Sequence, residues 1–249
     1  MSSRPSPTFR ASQGTEPPMG WLPSLAIFGA AALLLFVGTR ILIPWLARAT
    51  GMEPVVAWFV VGGLFVFTPL VIGAYVLLRR EPGTGIVDSW AERLRFRRMN
   101  RADWLWTLGA LVAIGVATTG IQALIQLLHG SLDLSPSFMA FEPLTPGRLW
   151  ILAAWLPFWI LNIMGEEVLW RGVVLPRQEA ALGRLAWMAN GAGWLLFHLA
   201  FGWQLVLVLV PIIFVLPYVV QRRRNTWIGV VVHAGLNGPA FVAIALGLV

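Results

Sequence analysis

Cysteine is absent from the 249 residues, which excludes disulfides and thiolate metal sites. Lysine is absent as well: all 18 basic residues are arginine. Charge is scarce, at 12% of residues, about half the share of a soluble globular domain. That scarcity excludes an ordinary water-soluble domain. Histidine occurs only three times, so each one bears on the chemistry. A formal net charge of +7 would suggest nucleic acid in a soluble protein. Here the arginines fall between apolar runs, where they orient a membrane chain, and no nucleic-acid partner is expected.

What is present is apolar sequence, 58% of the chain. Charge-free runs cover 17–39, 54–78, 104–132, 149–165, 185–221 and 225–249. A spanning helix needs roughly 20 mostly apolar residues. The run 17–39 extends past Arg40 to Ala47, and 185–221 divides at Phe201-Gly202-Trp203-Gln204. This predicts about seven spans, with six to eight allowed. Barrel strands would alternate apolar and polar residues, and these runs do not. The expected fold is all-α, a polytopic transmembrane helical bundle in a lipid bilayer.

The organisation reads as three parts. Residues 1–20 are polar and rich in Pro and Ser, the composition of a disordered tail. Residues 21–147 hold N-terminal transmembrane helices and a basic loop over 79–103. Residues 148–249 hold the remaining spans. The segment 79–101 carries seven arginines, which marks it as cytoplasmic. Counting spans from it places 166–184, the QRRRN turn at 221–225 and the N-terminus on the same side, and 129–148 and the C-terminus opposite. The segment Ile86–Met99 fits either an interfacial helix or a solvated basic loop. Of the 14 tryptophans, Trp21, Trp45, Trp104, Trp150 and Trp227 fall near span ends, as an aromatic belt requires.

Removing the loops leaves four polar features in apolar sequence. Glu166 and Glu167 stand together in GEEVLWRG, with Arg171 four residues after the second. On a helix Glu167 and Arg171 share a face in the order that favours an ion pair. Glu166 lies about 100° round the helix and is left without a partner. A buried carboxylate is costly unless paired or used. His198 lies midway along one apolar run and His233 seven residues into another, with Asn237 one turn further on. His129, at a span end, reads as structural. A structural ion pair and a single interhelical hydrogen bond would account for part of this set, but not for Glu166. A carboxylate and a histidine can activate water and relay its proton, and a His/Asn donor pair can hold an oxyanion. The chain has no GxSxG nucleophile motif. Glu166, His198 and His233 could also hold zinc. HExxH is absent, and the spacing leaves metal-bound and metal-free water activation both open.

These residues fall into the patterns EExxxR (166–171), an aromatic residue four before His198 (Trp194), and HxxxN (233–237). In this the chain resembles the CPBP family (CAAX protease and bacteriocin-processing, Abi) of intramembrane endopeptidases, which includes the type II CAAX prenyl endopeptidases. The resemblance covers about 148–248. It implies that Glu166 is the general base assisted by His198, that His233 and Asn237 form the oxyanion site, and that Glu167 and Arg171 support the geometry. It departs from the family at Trp194, where phenylalanine is usual. The larger ring is expected to narrow the site. The expected protein is an endopeptidase of a bacterial plasma membrane with a cytoplasmic N-terminus, acting on a peptide or protein substrate at the membrane that reaches Glu166 from the cytoplasmic side. No cofactor is expected, with zinc as the alternative. Two rival readings are a non-catalytic immunity or scaffold protein and a proton-coupled transporter. The second lacks support from internal repeats.

Overall fold

The apolar runs fold into helices that cross back and forth between two ends of one bundle. The computed structural model describes residues 17–81, 90–134, 136, 138 and 142–248. Helix α1 is Trp21–Thr50 and α2 is Pro54–Arg79, with proline at the first turn of α2, where its missing N–H is not needed. Helix α3 is Arg101–His129. It starts on a reciprocal cap: the Asn100 side chain accepts from Asp103 N at 2.9 Å, and Asp103 accepts from Asn100 N at 3.1 Å. Helix α4 covers 150–182. It is α-helical over Trp150–Glu167, widens to a π-helix over Val168–Val174 and returns to α over Leu175–Leu182. Helix α5 is Ala186–His198, prolonged by one 3-10 turn to Phe201. Helices α6 (Trp203–Arg223) and α7 (Thr226–Ala245) complete the chain.

Among the described residues, six continuous helical segments are long and apolar enough to cross a membrane. The fourth, Pro146–Phe201, has 56 residues and would be about 80 Å long if straight, far beyond the roughly 30 Å hydrocarbon core. It turns back at Gly183, whose φ of +55° an L side chain rarely adopts. The polypeptide therefore passes seven times, as the charge-free runs predict. The reversal is antiparallel: Asn190 of α5 reaches Gln178 and the Trp170 carbonyl of α4, and Trp194 reaches Glu166.

The outer surface is apolar. Leu22, Leu105 and Leu127 are 80%, 70% and 80% exposed, an arrangement stable only against lipid tails. The five belt tryptophans are all exposed near helix ends. Together these features make the chain an integral membrane protein. Between helices, small residues permit close approach. A Cβ on Gly193 would stand 2.2 Å from the Phe28 ring, which in turn stacks on Trp170 at 4.2 Å.

Charge divides the two ends. Twelve arginines lie in 79–101, 177–184 and 222–224, and the described parts of these segments meet at one end. Arg97 donates to the carbonyls of Arg223 and Arg224, Asn225 to the Arg97 carbonyl, and Thr226 to the Leu94 carbonyl. At the other end stand Arg40, Arg48 and Arg148, the last paired with Glu53. The stretch 90–100 is not the interfacial helix that one sequence reading allowed. After one turn, Trp90–Arg93, it runs as an irregular strap across the helix ends, with Arg95 buried, at φ +60°, and paired with Glu179. Residues 86–89 lie outside the described structure. So does the expected disordered tail as far as residue 16. Its last residues are ordered: Met19 is buried and donates its N–H to the Arg177 carbonyl at 2.9 Å.

Glu81 closes this end. It is 7% exposed and accepts from Arg93 at 2.7 Å and from Arg177 at 2.8 Å. Burial raises its pKa, but the two guanidinium groups outweigh burial and hold it below the ordinary 4.5. Its stabilising effect is therefore complete above about 4.5 and is lost as pH falls through the lower folded value. Glu81→Gln leaves two arginines facing a neutral group and should destabilise the protein by roughly 3 kcal/mol at neutral pH. Thermal unfolding in detergent would check this. The gap between variant and wild type should close as pH falls below 4.5.

Candidate active site

The six residues singled out in the sequence come from α4, α5 and α7 and meet in the middle of the bundle. Glu166, Glu167 and Arg171 are 1%, 0% and 0% exposed. His198 and His233 are buried, and Asn237 is exposed on the flank of α7. His129 is remote from them, packed on Trp203 at 4.9 Å.

Glu167 anchors one layer. His233 Nδ1 lies 2.9 Å from Glu167 Oε1, and Arg171 Nη1 lies 3.4 Å from the same oxygen. A carboxylate paired with arginine only accepts, so His233 Nδ1 carries the proton and Nε2 faces away. The Glu167–Arg171 pair forms as the i,i+4 spacing predicts, but across the start of the π-helix rather than on regular α-helix. The wider turn sends Arg171 beneath Trp194, its guanidinium carbon 3.7 Å from the ring centroid. None of the three guanidinium nitrogens has a hydrogen-bond partner among the described residues. The cation rests on its coulombic pairing and on the ring face.

Glu166 belongs to a second layer and is not unpartnered. Asn162 Nδ2 donates to Oε1 at 3.1 Å, and Trp194 Nε1 donates to Oε2 at 2.5 Å. One lone pair on each oxygen is thereby taken. Trp194 thus does what phenylalanine could not: it donates to the carboxylate while its face carries Arg171. It also positions both histidines, with ring centroids at 5.4 Å from His198 and 5.3 Å from His233. The Trp194 carbonyl accepts from His198 Nδ1 at 2.9 Å. A carbonyl only accepts, so the proton is on Nδ1 and the Nε2 lone pair is available.

Asn162, Trp194, Glu166, His198, His233 and Asn237 all border one cavity of about 410 Å³. Its other walls are mostly aromatic and aliphatic, among them Trp155, Phe158, Phe197 and Ile212. It does not lie at the end of α4, where the stop of the apolar run suggested that Glu166 would sit. The apolar run stops at Gly165, but the helix continues for 17 more residues to Leu182. Glu166 is therefore mid-helix. Among the described residues no three His, Asp or Glu side chains come together as a metal site.

Sequence reasoning overlooked Asn162, although it is the lone amide side chain in the charge-free run 149–165 and lies one turn before Glu166. Gly229 gave no signal. A Cβ there would stand 2.3 Å from Glu167 Oε2. Gly229→Ala should displace that carboxylate from His233 and Arg171, at a cost of about 1–3 kcal/mol in thermal stability measured in detergent. Val230, its neighbour on α7, offers a control position.

No curated protein and no solved structure matches the chain. Residues 148–238 match the family model described as type II CAAX prenyl endopeptidase Rce1-like. That segment holds EExxxR, Trp194 with His198, and HxxxN; of these residues Glu166, Trp194, His198, His233 and Asn237 border the cavity. Over this segment the chain is similar to the type II CAAX prenyl endopeptidase Rce1-like family.

Proposed function

We propose that the protein is an intramembrane endopeptidase that hydrolyses a peptide bond with water activated by Glu166 and His198. The observation that carries this is the convergence of a carboxylate, an imidazole with a free Nε2 and an amide on one apolar cavity. Glu166 keeps a lone pair on each oxygen beyond those taken by Asn162 and Trp194. It takes a proton from water while the water oxygen bonds to the carbonyl carbon. His198 Nε2 orients that water by accepting its other O–H. As the carbonyl π bond opens, charge gathers on its oxygen, and Asn237 Nδ2 donates to it. His233 Nε2 joins as a donor only in the imidazolium form, because the Nδ1 proton is committed to Glu167. Glu167 is placed to stabilise that cation. When the C–N bond breaks, Glu166 returns its proton to the amine nitrogen. The products are a carboxylate and an amine.

The water needs no metal in this reading, and no step is routed through one. The cavity walls fit apolar side chains, so a membrane-associated peptide is the substrate class. A scaffold or immunity role would leave the donors on Glu166 without a task.

Three measurements test the reading. Glu166→Gln keeps the shape but cannot accept the water proton. Cleavage of a fluorogenic peptide library by protein in liposomes should fall by about 10²–10⁴-fold. Equal cleavage by both proteins would rule Glu166 out as the base. Trp194→Phe keeps the ring and removes the N–H. A hydrogen bond to a charged group contributes roughly 1.5–3 kcal/mol, so kcat should fall about 10–100-fold with little change in KM. Elemental analysis of purified wild type should find no stoichiometric zinc, and chelators should leave the rate unchanged. Zinc lost together with activity in Glu166→Gln would move Glu166, His198 and His233 into ligand roles.

A further inference from the structure

The cavity occupies one half of the bundle, and its position follows the charge. Every helix that lines it does so in the portion distant from the arginine-rich end. Helices α4 and α6 begin at the charge-poor end and line it early, with Trp155 to Glu166 and Leu205 to Ile213. Helices α3, α5 and α7 begin at the arginine-rich end and line it from about mid-helix onward, with Ile114 to Gln122, Trp194 to Phe201 and His233 to Ile244. Leu134, in the segment after α3 at the charge-poor end, also borders it.

The arginine-rich side is closed. Below Glu166 comes the buried layer of Glu167, Arg171 and His233. Below that, Trp170, Val173, Val174 and Leu175 are fully buried. The strap then seals the end, with Leu94 so close to Gly172 that an added Cβ would stand 2.8 Å from it. On the cavity side, Asn237 and Ala240 line the wall and are exposed, which gives a mouth on the lipid flank of α7.

We propose that the site is served from the extracytoplasmic half of the membrane. Arginine-rich segments stay in the cytoplasm, and twelve arginines at one end against three at the other make the bias large. The closed side of the cavity then faces the cytoplasm, and the mouth faces the outer half of the bilayer. The substrate is an extended peptide segment with apolar side chains, inserted in or lying against that outer half. A polar chain end presented from the cytoplasm would have to cross the packed layer of Trp170 and Arg171. The word substrate rests on the reading above; the side of access does not.

The absence of cysteine allows single reporters without background. Ser131→Cys marks the charge-poor end, Ala91→Cys the strap and Leu205→Cys the cavity wall; Ser131 and Ala91 are exposed and none of the three is in the proposed machinery. Bacterial cells expressing each full chain are treated with a small membrane-impermeant thiol reagent. Labelling of Ser131→Cys and Leu205→Cys is expected in intact cells, and labelling of Ala91→Cys only after permeabilisation. Ala91→Cys labelled in intact cells would overturn the orientation. Leu205→Cys reacting only when the Ala91 side is opened would overturn the access. These readouts need no catalysis, so they stand apart from any failure of the protease assay. With an active protein, right-side-out vesicles should cleave an added apolar peptide faster than inverted ones, with the difference lost in detergent. The reverse preference would overturn the proposal.

Discussion

A carboxylate enclosed in a membrane bundle must be neutralised, and the rest of the site follows from how Glu167 achieves this. Its partners are Arg171, a π-helical turn away, and His233 on α7. An ion pair so buried brings a desolvation cost that its attraction only partly offsets. The pairing is therefore better understood as fixing geometry than as adding stability. It locks α7 against α4, sets the tautomer of His233 and holds Arg171 beneath Trp194. Gly229 exists in this arrangement as space: any side chain there would collide with the free oxygen of Glu167.

Trp194 links that inner layer to the one that borders the cavity. One face carries the Arg171 cation, the indole N–H holds Glu166, and the carbonyl holds His198. A phenylalanine could supply the face and the carbonyl but not the N–H. The departure from the family pattern is thus a gain of one donor to the carboxylate, more than a change of size. Asn162 supplies the other donor. Glu166 is consequently anchored at both oxygens while still open to the cavity, as preorganisation requires.

Helix packing makes these contacts possible. Without a hydrophobic drive between helices in lipid, close approach depends on small residues. Gly193 under Phe28 and Gly191 beside Phe214 bring α5 within reach of α1 and α6. The strap 90–100 and the paired Glu81 then tie the arginine-rich ends together. Helix α4 is held from both sides, so its midpoint is a fixed platform for Glu166 and Glu167.

The sequence by itself determined the helical membrane class, the seven passes and the identity of the six polar residues. Those follow from hydrophobic length and from the cost of charge in lipid, and both are local properties of a chain. It also implied the Glu167–Arg171 pair, because helical periodicity makes i and i+4 neighbours. Only the tertiary structure decided what Glu166 touches, since Asn162 and Trp194 reach it through the close approach of α4 and α5. It decided that α4 continues past its apolar run, because tertiary partners of Arg177, Gln178 and Glu179 satisfy polar groups that hydropathy alone reads as loop. It decided which end of the bundle holds the cavity. Periodicity fixes which residues share a face, but which face is left open depends on the side chains that neighbouring helices bring to it.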